Sequence, residues 1–131
     1  MTDLEKAKEF FAVDRYATEA TGIEIIAVGE HYAKCALILK EHHKNAVGHV
    51  MGGVLFTLAD FVFGISANFE AVSPTVTVSS SIHFLSSPRG RVIYGESKLL
   101  KDGKRSCFYE ITVTDEDGTP VAIVTMNGMH L

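Results

Sequence analysis

The sequence predicts an α+β protein in which an antiparallel sheet encloses one long buried helix. Three observations carry this. The run from Val54 to Ala67 is about fourteen residues long, contains no proline, and has only Thr57, Asp60 and Ser66 as clearly polar side chains. A helix that is apolar nearly all round must be wrapped by something. Most of the rest of the chain alternates apolar and polar residues in short segments separated by turn signals, which is the pattern of strands.

In order along the chain, Thr2 or Asp3 can cap a first helix with Leu4, Ala7, Phe10 and Phe11 on one face, ending near Val13. A short second helix covers Arg15 to Ala20, and Gly22 breaks it. Ile23 to Val28 and Tyr32 to Leu39 read as an antiparallel pair turning at Gly29-Glu30. Lys40 to Lys44 is polar and leads into a loop at Asn45. After the buried helix, Ser73-Pro74 marks a turn. Thr75 to Leu85 then places Val76, Val78, Ile82 and Phe84 on one face and Thr77, Ser79, Ser81 and His83 on the other. Arg91 to Leu100, Ser106 to Thr114 and Pro120 to His130 follow, joined by turns at Lys101-Asp102-Gly103-Lys104 and at Asp115 to Gly118. Short connections make the last four strands a meander.

The chain has 131 residues, enough for one domain with a real core, and its 47% apolar and 21% charged content is ordinary for a globular protein. No segment is long and apolar enough to span a membrane. Met1 to Lys6 is charged and unlike a signal peptide. Cys35 and Cys107 form no metal-type pair and read as reduced thiols, so a cytoplasmic location is expected. A net charge of −4 argues against general nucleic-acid binding. His42, His43 and His49 read as exposed loop histidines, and neither a metal site nor a cofactor is expected.

Asp60 lies mid-way along the apolar run. It is either a helix residue at the solvent edge or a carboxylate kept for chemistry in a cleft. Gly52-Gly53 opens the same helix; it is either a plain loop-to-helix turn or a place where a ligand approaches the backbone amides. Gly52 and Asp60 are eight residues apart, about 12 Å in a helix at about 1.5 Å per residue. Reacting atoms must approach to about 3–3.5 Å. Two antiparallel copies would bring Gly52 of one to Asp60 of the other, so a two-fold dimer with shared sites is expected. From Arg89 to Arg105, six cations (Arg89, Arg91, Lys98, Lys101, Lys104 and Arg105) face two carboxylates, net +4 on an acidic chain. This is either a solvated hairpin with edge lysines or a dock for an anionic tail such as nucleotide phosphates.

The order of elements, together with Asn45, Gly48, Gly52-Gly53, Leu58-Ala59-Asp60 and Gly118-Thr119-Pro120-Val121-Ala122, resembles the PaaI-like acyl-CoA thioesterases of the hotdog fold. That resemblance covers nearly the whole chain. It implies a curved antiparallel sheet around the helix, an acyl-CoA substrate, and a homodimer or homotetramer without nucleic acid or membrane partners. It further implies that Asp60 acts as general base or nucleophile and that the Gly52 amide holds the thioester oxygen. Asn45 would orient water or substrate from the facing chain, and Thr77 would help position the attacking water. Gly53, Arg89, Arg91 and an acyl pocket containing Phe56, Phe61 and Phe63 are the expected substrate contacts. The departure is Met51, where the family usually has His; a thioether donates no hydrogen bond. That residue keeps open a second class of function, an acyl-CoA-binding module that does not hydrolyse its ligand.

Overall fold

The computed structural model describes all 131 residues. Helix α1 spans Asp3–Phe11 and helix α2 spans Gly52–Asn68. The strands are β1 (Glu24–Gly29), β2 (Tyr32–Ile38), β3 (Thr75–Phe84), β4 (Val92–Asp102), β5 (Ser106–Thr114) and β6 (Pro120–His130). They form one antiparallel sheet in the order β1-β2-β4-β5-β6-β3. The expected four-strand meander is therefore corrected. Only β4, β5 and β6 run as one, and β3 lies outside β6 at the sheet's far edge. The connection from β3 to β4 crosses the sheet from that edge to its centre.

Each helix start follows from its first residues. Thr2 caps α1: its Oγ1 accepts from the Glu5 amide at 3.1 Å, and the Glu5 carboxylate accepts from the Thr2 amide at 3.1 Å. Ala7 and Phe11 turn inward, whereas Phe10 is exposed, because Phe10 lies one residue off the buried row. Tyr16–Thr21 is a single wide π-helical turn rather than an ordinary short helix, and Gly22 ends it at φ +92°.

Helix α2 buries Leu55, Leu58, Ala59, Phe61, Val62, Phe63, Ile65 and Ser66. Its burial is not complete all round, because Gly53, Thr57, Asp60 and Gly64 form a stripe at helical spacing that the sheet leaves open. A Cβ added at Gly53 or Gly64 would meet nothing within 4 Å. The sheet's inner face comes close to the helix at two glycines. A Cβ at Gly95 would sit 3.1 Å from Leu58 Cγ and Val62 Cγ2, and one at Gly128 would sit 2.7 Å from Phe63 Cζ and 2.9 Å from Thr75 Cγ2. The core is one cluster of 24 buried apolar residues.

Strand β3 departs from simple alternation. Thr77 pairs with Gly128 and Ser79 with Asn127, so Val78 is an extra residue in a bulge. Before the bulge Thr75 and Thr77 face the helix; after it Ser80, Ile82 and Phe84 do. The expected grouping of Val76 and Val78 with Ile82 and Phe84 is thus corrected. Val76 and Val78 are exposed, and Thr77 joins the inner face.

His43 also corrects the expectation of exposed loop histidines. It is 3% exposed. The Lys40 amide donates to its Nδ1 at 2.9 Å, and its Nε2 lies 2.7 Å from the Thr21 carbonyl oxygen, which makes Nε2 the protonated nitrogen. The ring staples the loop before α2 to the end of the π-helical turn.

Overpacking a core forces neighbours off their rotamers. Gly128→Ala is expected to lower stability by about 1–3 kcal/mol, read as a lower urea midpoint with an unchanged slope. An unchanged midpoint would mean that Phe63 can move aside freely.

Candidate active site

The apolar sequence of α2 and its contact with the sheet hold Asp60 on the open stripe. The bulge in β3 turns Thr77 toward it. Thr77 Oγ1 donates to Asp60 Oδ1 at 3.5 Å, the long end of hydrogen bonding. The pair borders a cleft of about 430 Å³, whose other walls include Thr57, Asp14, Arg15 and Tyr16. Burial raises the Asp60 carboxyl above its ordinary value, the Thr77 hydrogen bond pulls it down, and the nearby Asp14 raises it again. Arg15 does not neutralise it, because its guanidinium is paired with Glu19. The result is a carboxylate whose proton affinity is increased, a property that suits a base.

The N-terminal end of α2 forms a second constellation. Met51 precedes the helix with an extended backbone and gives it no side-chain cap. The first-turn amides of a helix have no partner within the helix, so the end that begins at Gly52 is electropositive and uncapped by any side chain. Phe84 lies against this end, and a Cβ at Gly52 would sit 2.9 Å from its Cζ. A cleft of about 500 Å³ runs from Gly52 past His49 and Phe84 to Ser86, Ser87 and Pro88. Met51 is exposed beside it.

Asn45 belongs to the loop before this end. Its Oδ1 accepts from the amides of Val47 and His49, both at 3.1 Å, and Gly48 takes φ +82° between them. The side-chain oxygen is committed to the turn, which leaves the amide Nδ2 as its donor.

The structure brings Asp60 and Thr77 together, and it gathers Gly52, Gly53, Met51 and Asn45 at the helix start. It does not join the two groups: eight residues of helix separate them by about 12 Å. The basic stretch also divides. Arg91 lines a cleft with Gly48, His49 and Val50, near the start of α2. Lys101, Lys104 and Arg105 lie at the other end of β4, ten or more residues away, roughly 33 Å in a strand. The stretch is therefore not one basic face; only Arg89 and Arg91 lie in the loop at the β4 start. Their loop is held by carboxylates: buried Asp115 accepts from the Arg89 amide at 3.0 Å, and Glu116 accepts from the Arg91 and Val92 amides at 2.7 and 2.9 Å. The Arg89 amide, helped by the Thr119 and Asp117 amides, holds the Asp115 carboxyl below its ordinary value against the opposing effect of burial.

Phe63, expected in an acyl pocket, is 1% exposed and packs edge to face on Tyr109 at 5.5 Å. It forms the floor of the Asp60 cleft, which it lines together with Phe61. Phe61 is buried likewise, against Phe11. Two neighbours of the site went unread in the sequence, Asp14 and Phe84. Asp14 sits in a loop with no pattern, and the contact of Phe84 with Gly52 joins two segments thirty-two residues apart, which no local pattern reveals.

Residues 47–122 match the family model of the Thioesterase superfamily, more than half of the chain. The chain belongs to that superfamily, and its architecture is the hotdog fold. It is similar to the acyl-coenzyme A thioesterase PaaI of Escherichia coli, 26% identical over 106 residues that cover 80% of this chain and 75% of that one. A putative esterase of Archaeoglobus fulgidus is 23% identical over 120 residues, 92% of this chain and 78% of that one. Among solved structures, the Escherichia coli PaaI protein from the phenylacetic acid degradation operon superposes with a TM-score of 0.89 at 21% identity, covering 98% of this chain and 94% of that one. A hypothetical thioesterase from Streptococcus pneumoniae, solved with coenzyme A, gives 0.82 at 22% identity over 95% and 96% of the two chains.

Because the folded chain holds the Asp60 carboxyl above its unfolded value, ionised Asp60 opposes folding. Stability from this group is present at low pH and is lost as pH rises through the folded value. Asp60→Asn should therefore be more stable than the parent at neutral pH, and the gap should close as pH falls through the Asp60 titration. Urea midpoints measured across that range decide it; a gap constant with pH would rule titration out as the cause.

Proposed function

We propose that this chain hydrolyses acyl-CoA thioesters to free acid and CoA, at a site that two copies of a single-domain chain share. The observation that carries the reading is the pairing of Asp60 with Thr77 in a cleft, a helix length away from the uncapped Gly52 end. In a two-fold pair the thioester carbonyl oxygen of the substrate would accept from the Gly52 amide of one copy. Asp60 of the other would take a proton from water as the water attacks the carbonyl carbon. The tetrahedral oxyanion forms at an electropositive helix end. It collapses with cleavage of the carbon–sulfur bond, and CoA leaves as the thiol once it gains a proton. The alternative is direct attack by Asp60, giving an anhydride that water then opens. Asn45 Nδ2 and Thr77 would orient water or substrate, Gly53 leaves open space beside the carbonyl, and Arg89 and Arg91 would meet the CoA phosphates.

The free edge of β3 supports the shared site. It is a sheet edge of ten residues that carries exposed Val76 and Val78 and no charged residue except, when protonated, His83. Such an edge pairs readily with another strand. The open stripe on α2 leaves empty space over Gly53 and Gly64. Family membership, and the coenzyme A in the Streptococcus pneumoniae structure, support the substrate class.

Met51 favours a second reading, ligand binding without turnover. An exposed thioether beside Gly52 cannot donate a hydrogen bond to the carbonyl.

Asp60→Asn is expected to cut CoA release from an acyl-CoA panel by about 10²–10⁴-fold with the circular dichroism spectrum unchanged; retained turnover would exclude the mechanism. Met51→His separates the two readings. A rise in rate marks a competent scaffold, whereas tight binding with no turnover in both proteins marks a binding module. Sedimentation at assay concentration should find at least a dimer, and an active monomer would exclude the shared site.

A further inference from the structure

Beyond the C-terminal end of α2, side chains from three separate segments converge. Asp102 is the last residue of β4 and pairs with Cys107 of β5; Cys107 pairs with Gly128 of β6; His130 stands two residues further along β6. Asp102, Cys107 and His130 therefore share the inner face of the sheet. One ligand-type atom from each lies within 4.8 Å of the others. His31, from the exposed turn between β1 and β2, stands beside this group and approaches it through Asp102.

The two imidazoles are arranged alike. His130 Nε2 lies 2.8 Å from Asp102 Oδ1, and His31 Nε2 lies 3.7 Å from Asp102 Oδ2. Each turns its other nitrogen to a hydroxyl: His130 Nδ1 is 2.7 Å from Thr75 Oγ1, and His31 Nδ1 is 3.3 Å from Tyr109 Oη. His130 Nε2 hydrogen-bonds Asp102 here; with its proton moved to Nδ1, which faces a fixed hydroxyl, the ring would be oriented as metal-bound histidines are. His31 holds φ +52°, a conformation uncommon outside glycine. Thr75 and Tyr109 are both buried, so the supporting oxygens are rigidly placed.

We propose that Asp102, Cys107 and His130 hold one divalent ion of the zinc class, and that His31 closes in from its exposed turn as the fourth ligand. Two nitrogens, a sulfur and an oxygen suit Zn²⁺ and exclude Mg²⁺ or Ca²⁺, which require oxygen sets. Tetrahedral zinc separates its ligand atoms by roughly 3.3–3.8 Å, given zinc–ligand bonds of about 2.0–2.3 Å. The present spacings of 2.8 and 3.7 Å from Asp102 bracket most of that range. On binding, the Cys107 thiol gives its proton to solvent and the thiolate becomes the sulfur ligand. With His31 as the fourth ligand no position stays open, so the ion is structural. It clasps the β1–β2 turn, the β4–β5 hairpin and the end of β6. The sequence hides this site, because the four residues lie in three separate segments.

The test uses the full chain stripped with chelator and dialysed. Titration with Zn²⁺ should saturate at one equivalent and raise the melting temperature. Co²⁺ should give tetrahedral visible bands and a thiolate charge-transfer band, and that band should vanish in Cys107→Ser. His31→Ala, in an exposed turn, and Asp102→Asn should each weaken Zn²⁺ binding at least tenfold. No saturable binding, Co²⁺ bands without thiolate character, or affinity unchanged in both variants would overturn the site; the last would assign the metal to exposed His42, His49 or His83. Should a variant not fold, the cobalt spectrum of the parent chain still decides the question.

Discussion

The close seating of α2 on the sheet is the constraint from which the rest follows. Burying a helix this apolar supplies much of the folding free energy. It also demands that two strands give up side chains where the helix presses hardest. Gly95 under Leu58 and Val62, and Gly128 under Phe63, mark those places. A polar link completes the seat: Ser66 Oγ of the helix lies 2.8 Å from Ser97 Oγ of β4, which in turn accepts from the Ala33 amide of β2 at 3.0 Å. With the helix axis set in this way, the direction of Asp60 and the position of the Gly52 amide are set too.

Much of this was legible in the residues. The bounds of β5 and β6 match the alternating runs, and the buried helix announces itself by composition alone. What could not be read is what depends on pairing partners. The place of β3 beside β6 is a matter of sheet order, to which local pattern is blind. The bulge at Val78 inverts the faces of everything before it, and no turn residue marks it. His43 looks like a loop residue until its two ring nitrogens find a carbonyl and an amide contributed by separate segments. Asp102-Gly103 looks like the centre of a hairpin turn, yet Asp102 is still paired in β4 and faces inward.

The candidate site was legible in part. Asp60 stands out because a carboxylate in an apolar run needs a reason, and Gly52 because glycine at a helix start exposes amides. Thr77 was placed by family likeness alone, and the structure sets its hydroxyl toward Asp60. The cations between Arg89 and Arg105 illustrate the opposite case. A charge count along the sequence treats a strand as a point, while β4 carries its two ends far apart. Phe63 shows the same limit: an aromatic in a helix run is core or pocket depending on which side the sheet covers.

The extra residue at Val78 has a consequence for how this chain can vary in length. Thr77 and Phe84 are seven positions apart, an odd interval, so a regular strand would send them to opposite sides. The bulge absorbs the odd step and lets one strand serve both Asp60 and Gly52 from the same side. That makes the span from Thr77 to Phe84 a ruler of fixed count: removing or adding one residue within it would turn one end of the strand away from the helix. Length change is tolerable instead in the turn before Thr75 and in the loop after Phe84, where no side chain is shared between the two ends of α2.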